Sequence, residues 1–232
     1  MPDKRIRYQV EHIQFLANEH GTYIPAQKVA DTLGQASKQL FSALLFPKQP
    51  VKAGRTFGAG FNKAYDARLA PFLRRQEYNA DRVVVNNTTV RPLTDGQFTL
   101  PADCAQVSYY DLPGADTVQE VEAHALRLKR ACPITGPTKT FPLVTTVENG
   151  DKQIYPADTT RGAVQYYATP PQPVYALADP DDETSYDDAP SVDTGWKEDA
   201  EPELIAGTLK LLGVPLRDPA MQQAAAYIQQ DL

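Results

Sequence analysis

Hydrophobic period changes twice along this chain, and that double change constrains the fold more than any single motif. Ile6, Val10, Ile13 and Leu16/Ala17 recur at the spacing of a helix face; Val29, Leu33, Ala36, Leu40 and Leu44 repeat it, widened by Phe41 and Leu45. From Asp81 to Ala168 short β-branched and aromatic runs take over. After the proline-rich brake Pro170-Pro171-Gln172-Pro173 and an acidic stretch comes Trp196, the only tryptophan; helical spacing then returns at Leu204, Ile205, Leu209 and Leu212. Short closing helices cannot bury such a stripe alone, so the sequence predicts that they clamp onto the N-terminal helices. The expected class is α+β: a helical bundle from N- and C-terminal helices with an inserted antiparallel β-sandwich or small barrel. The expected domains are N-terminal helices at 1–80, a β domain at 81–175, an acidic linker at 176–197 and C-terminal helices at 198–232.

Local signals refine this outline. Pro25 suits the first position of the second helix, and Phe46-Pro47 ends it. Gly34 costs about 1 kcal/mol against alanine inside that helix, which suggests a break or a close helix contact there. Phe61, Tyr65, Leu69 and Phe72/Leu73 continue helical spacing, with Arg74-Arg75 closing the run. Short strands are expected at 82–85, 89–90, 97–101, 106–110 and 117–121, punctuated by Asp95-Gly96 and Leu112-Pro113-Gly114. Residues 122–131 suit either a brief helix or a continuing strand. Asn149-Gly150 predicts a type I′ hairpin between 141–147 and 152–155. A strand at 163–168 completes the β region, and Pro170-Pro171 stops the sheet at that edge. Glu201-Pro202 opens one closing helix and Asp218-Pro219 caps another, at 220–230.

Charge is distributed unevenly. The net −6 divides into +6 over residues 1–80 and −12 over residues 81–232. Two solvated faces of opposite sign account for this, and head-to-tail association of copies is its sharper consequence. Overall acidity argues against a dedicated nucleic-acid binder. Cys104 and Cys132 are too few for a disulfide framework and lack metal-ligand spacing. Neither a secretory leader nor an apolar run of about 18 residues is present, which predicts a soluble chain made in a cytoplasm, with no membrane contact.

Chemistry is sparse. The loop 48–63 is basic and glycine-rich, with Lys48, Lys52, Arg55 and Lys63. It lacks the Gly-Lys-Ser/Thr of a phosphate loop and the order of a dinucleotide fingerprint. It is expected to face a neighbouring subunit or a DNA passage. His12, His20 and His124 are scattered outside any metal motif, and the acids of 179–201 lack the order of a calcium-binding loop. No nucleophile elbow is present. No metal or cofactor is expected, and the motifs point away from an enzyme.

The order of short phrases carries more. The helical pair from Ile6 to Phe46 is followed by Phe98-Thr99-Leu100-Pro101-Ala102-Asp103, then Pro133-Ile134-Thr135-Gly136-Pro137-Thr138 and Phe141-Pro142. Gln153-Ile154-Tyr155-Pro156, Val164-Gln165-Tyr166-Tyr167 and Pro170-Pro171-Gln172-Pro173 come next, and Trp196 with Glu203-Leu204-Ile205 and Leu211-Leu212-Gly213-Val214 closes the series. Across most of its length the chain resembles the ring proteins of crAss-like tailed bacteriophages, which stack below the portal in the head-to-tail connector. The acidic insert at 179–193 departs from that pattern. The resemblance implies a non-enzymatic virion component, assembled in the host cytoplasm as a homo-oligomeric ring, a dodecamer, around the DNA channel. Its partners would be other copies, the portal protein and other tail ring proteins, with non-specific contact to packaged DNA.

Two other classes remain open from sequence. One is a virion or surface binding module recognising carbohydrate or protein through its β domain, with Tyr109, Tyr110, Tyr166 and Tyr167 as a platform. Alternate strand tyrosines more often pack inwards. The other is an enzyme whose turnover would depend on Asp181 or Lys52.

Overall fold

The computed structural model describes residues 5–19, 21, 23–46, 67–80, 90–132, 134, 136–147, 149–179, 182 and 185–214. Within them the protein is α+β, and the chain divides into two compact units. One takes Met1–Phe72 with Thr169–Leu232; the other takes Leu73–Ala168.

The first unit is helical. α1 (Arg5–Glu19) buries Ile6, Gln9, Val10, Ile13 and Ala17, and α2 (Ala26–Leu45) buries the whole stripe expected of it, Phe41 and Leu45 included, with Ser37 added. Pro25 stands at the α2 N-cap, so its missing N–H removes no helical hydrogen bond. Residues 67–69 are helical and tighten into a 3-10 turn, Ala70–Phe72, that buries Phe72.

The returning chain first crosses α2. A Cβ on Gly34 would stand 2.3 Å from Gln172 Nε2. The glycine inside this helix therefore marks a close approach and not a break. Gln172 Oε1 also accepts from Lys38 Nζ, one turn further on, at 3.0 Å.

The described residues of 176–197, expected as a solvated linker, are folded into the helical unit. Val174 bridges Val192, and Leu177 bridges Tyr186. Tyr175, Ser191, Thr194 and Trp196 are buried. The reason lies in the apolar and hydroxyl residues between the acids, which give the excursion its own small core and bonds. The Ser191 hydroxyl accepts from the Ala176 N–H at 3.0 Å and donates to the Asp187 carbonyl at 2.6 Å.

After a 3-10 turn (Glu198–Ala200), helix α4 (Glu201–Leu211) buries Leu204, Ile205, Ala206, Thr208 and Leu209. α1, α2 and α4 touch one another pairwise. Each fully buried leucine of this set contributes about 1.5–3 kcal/mol against exposure. The helix expected at 220–230 lies outside the described residues.

The second unit holds eight strands and one helix among the described residues. The strands are β1 (Leu73–Asn79), β2 (Arg91–Pro92), β3 (Gln97–Phe98), β4 (Cys104–Asp111), β5 (Gln119–Glu120), β6 (Leu143–Thr146), β7 (Lys152–Tyr155) and β8 (Arg161–Ala168); the helix is α3 (Ala123–Ala131). They form two four-stranded sheets, ordered β2-β1-β8-β4 and β3-β7-β6-β5. Each sheet contains one short parallel pair, β1 with β2 and β5 with β6, so both are mixed where purely antiparallel pairing was expected. Tyr78, Phe98, Tyr110, Val144, Ile154, Val164 and Tyr166 share one core cluster, drawn from both sheets.

Three local expectations change. Leu73–Asn79 is a strand, not the end of a helix, because it pairs along its whole length with β8, from Leu73↔Tyr167 to Asn79↔Arg161. That boundary moves the end of the helical segment from 80 to 72. β8 lies between β1 and β4, so Pro170-Pro171 follows an interior strand and not an edge. The expected hairpin is present, with Val144 opposite Ile154. Its turn, however, has Gly150 at φ 84 and no positive φ at Asn149. The mirror-image turn sits instead at Asp95-Gly96, φ 49 and 75, closed by reciprocal Thr94–Gln97 hydrogen bonds of 3.0 and 2.8 Å.

Candidate functional site

The clamp residues lie together in the helical unit. Leu204, Ile205 and Leu209 are buried in α4, and Leu212 is half-buried just beyond it. Trp196 is 4 % exposed. Its indole Nε1 donates to Ser37 Oγ on α2 at 2.8 Å, a bond wholly within the buried interior. The indole also meets the Phe72 ring edge-on, with centroids 4.7 Å apart, and Phe72 meets Phe41 in the same manner at 5.5 Å. Aromatic pairs in this geometry add about 0.5–1.5 kcal/mol beyond their burial. Chain positions 41, 72 and 196 thus converge on one seam.

Polar contacts fasten the same seam. The Ile6 N–H, one of the unpaired donors at the start of α1, donates to Asp193 Oδ1 at 2.8 Å. Gln9 Nε2 donates to Glu201 Oε1 at 3.1 Å, and Arg5 pairs with Glu198. Arg68 Nη1 reaches both oxygens of Glu203, at 2.9 and 3.0 Å, in the first turn of α4, where a helix favours negative charge. The sequence reading missed Ser37, Asp193 and Phe72. A serine inside an apolar stripe was the only signal for the first; the helical spacing that ends at Phe72 pointed to its burial but not to its partner, and nothing local pointed to Asp193.

Lys48, Lys52, Arg55 and Lys63 lie outside the described residues, as do Asp181 and His20. The structure does not bring the four tyrosines together as one platform. Tyr110 and Tyr166 are buried, whereas Tyr109 is exposed and Tyr167 half-buried. Buried hydroxyls of this unit act as neutral donors. Tyr78 donates to the Thr99 carbonyl at 3.0 Å, Tyr110 to Glu120 Oε2 at 3.1 Å, and Tyr166 to Asp103 Oδ1 at 3.3 Å. Burial pushes all three phenols up, and the neighbouring carboxylates push Tyr110 and Tyr166 further. Burial, with Asp103 beside it, also raises the Cys104 thiol and keeps it protonated, the less reactive form.

Among the described residues, two shallow clefts open on the β unit. The larger, about 280 Å³, is lined by Arg75, Glu77, Asn79, Asp111 and Arg161. Arg75 lies 2.9 Å from Asp111 and 3.8 Å from Glu77, so its charge is largely compensated within the cleft. The smaller, about 150 Å³, is flanked by Lys139 and Asp158 at 2.8 Å, where the lysine's hydrogen bond holds the aspartate below its usual range. Both partners are solvated. Among the described residues no group of three His, Cys, Asp or Glu is placed to hold a metal, and no helix is long and apolar enough to cross a membrane. His12 stacks on Tyr8 with centroids 5.6 Å apart, and His124 stands 3.2 Å from Glu122 on the surface. Neither lines either of these clefts. Among the described residues, side chains far apart in the chain converge at the Trp196 seam.

No protein-family model matches the chain, and no curated protein matches it at a significant level.

Proposed function

We propose that this chain is a non-enzymatic virion structural protein, forming an oligomeric ring of the phage head-to-tail connector, below the portal and around the DNA channel. The observation that carries the proposal is the helical unit built from both chain ends and fastened at Trp196, with the β unit inserted between Leu73 and Ala168. That arrangement follows the order of phrases through which the chain resembles connector ring proteins. In this reading α1, α2 and α4 are the core of a helical bundle, supported by their pairwise packing. The β unit is a sandwich, supported by the single core cluster that both sheets share. A closed ring needs two different patches on each subunit. The uneven charge of the chain supplies a basis for them.

The reading gives the ring the form of a dodecamer, stacked on the portal protein and other tail ring proteins in the virion, and gives loop 48–63 the neighbouring subunit or the DNA as its partner. Light scattering on the full chain, alone and with portal protein, tests it. A mass of many copies is expected. A monomer under both conditions would count decisively against it.

A further inference from the structure

α3 is a helix with one buried side chain, Leu126. The rest of its surface is basic and aliphatic. Arg127, Leu128 and Arg130 are exposed, Leu128 at 73 %, and Ile134 just beyond the helix is 92 % exposed. Residues 123–147 contain four cations and no carboxylate, in a chain whose net charge is −6. Arg127 has no ion-pair partner among the described residues, and Arg130 lies over the Tyr155 ring at 4.8 Å. The patch is held in shape. The Cys132 N–H donates to the Lys129 carbonyl, and Phe141 and Thr138 bond each other at 3.1 and 3.2 Å.

Isolated apolar residues on a surface need no explanation, but exposed aliphatics beside exposed arginines in one short segment match a protein partner that is both acidic and apolar. Phosphates would satisfy the arginines and leave Leu128 and Ile134 in water. The chain itself carries the complement. Residues 185–201 hold six carboxylates and one lysine; Asp193, Glu198 and Glu201 are engaged by Ile6, Arg5 and Gln9 of the same chain, and Asp199 is exposed and without an ion-pair partner among the described residues. Val192 is exposed in the same stretch.

We propose that the exposed basic-aliphatic segment at the end of α3, with Arg127, Leu128, Arg130 and Ile134, docks on the acidic 185–201 stretch of a second copy of this chain. The two patches differ, so the contact is heterologous and propagates from copy to copy. That the series closes into a ring rests on the function proposed above; the pairing itself does not.

The test uses full-length chains and reciprocal charge reversal at low ionic strength, where screening is weakest. Arg127→Glu/Arg130→Glu and Asp187→Lys/Asp199→Lys should each raise the concentration for half-assembly by about tenfold or more. An equal mixture of the two restores opposite charge at every contact and should assemble like wild type. Leu128→Ser/Ile134→Ser should weaken assembly without changing any charge. Circular dichroism establishes that each variant is folded. Variants that assemble alone as wild type does, or folded variants whose mixture stays apart, overturn the pairing while leaving a wild-type ring intact. Open oligomers that respond to the reversals as expected uphold the pairing and refute the ring. A wild-type chain that stays monomeric refutes both. Loss of binding to a short DNA duplex in Arg127→Glu/Arg130→Glu, with assembly unchanged, assigns the segment to nucleic acid and overturns the proposal.

Discussion

Ser37→Ala is a change of one oxygen atom in the interior of the helical unit, and its consequence follows from the Trp196 seam. Ser37 is fully buried, and its hydroxyl accepts the indole N–H at 2.8 Å. Removing the acceptor strands a buried donor, which costs about 1–3 kcal/mol because no water replaces the lost partner. Trp196→Phe removes the donor, but the remaining hydroxyl can turn to a carbonyl one helical turn back. Its cost comes chiefly from the smaller ring against Phe72, about 1–3 kcal/mol by analogy with other core truncations. In the double variant no polar group is stranded, so its destabilisation should fall short of the sum by about 1 kcal/mol or more. Urea titrations followed by far-ultraviolet circular dichroism on wild type, both singles and the double close the cycle. Trp196 fluorescence gives a second probe in the two tryptophan-bearing forms. A Ser37→Ala variant as stable as wild type, or strictly additive effects, would refute the claim that this hydrogen bond fastens the seam.

Asp193→Ala should cost about 1 kcal/mol by freeing the Ile6 N–H, and Asp193→Asn much less, because an amide oxygen can still accept it. Amide exchange at Ile6 reads the effect directly. Leu209→Asp puts a carboxylate where the side chain is 1 % exposed, and it should unfold the helical unit, as a flat urea titration of its helical signal would show. Alkaline pH should unfold the β unit. The folded state holds the protons of Tyr78, Tyr110 and Tyr166 above their ordinary range, so their contribution is complete below about pH 10. Above that, each loses about 1.4 kcal/mol per pH unit as the unfolded phenol ionises first. Tyrosinate absorbance should therefore show a late, cooperative step coincident with unfolding; a single smooth titration of all twelve tyrosines would contradict it.

Where stabilisation is local, the sequence reading was close to the structure. The stripes of α1, α2 and α4 repeat every three or four residues, and the residues on them are mostly buried, Leu212 just beyond α4 being half-buried. Where it is non-local, the reading failed. Leu73-Arg74-Arg75 looks like the polar end of a helix, since the property that makes it a strand is its pairing with β8 about ninety residues later. Residues 176–197 read as a solvated linker because carboxylates dominate the count. Their placement depends on Tyr175, Ser191, Thr194 and Trp196, and one of those carboxylates caps a helix at the opposite end of the chain. The Trp196 seam was half legible. The tryptophan and the leucines stood out, but Ser37 and Phe72 become part of it only once the two ends meet. The tyrosine pairs showed the ordinary alternation of strands, one ring inward and one outward, which the two-residue period requires.

Class averages of negatively stained full-length chain, assembled at high concentration, test the central claim most directly. A ring subunit gives closed, rotationally symmetric particles with a central opening, their copies countable in end views. Featureless single-chain particles at every concentration, or open filaments without closure, would contradict it.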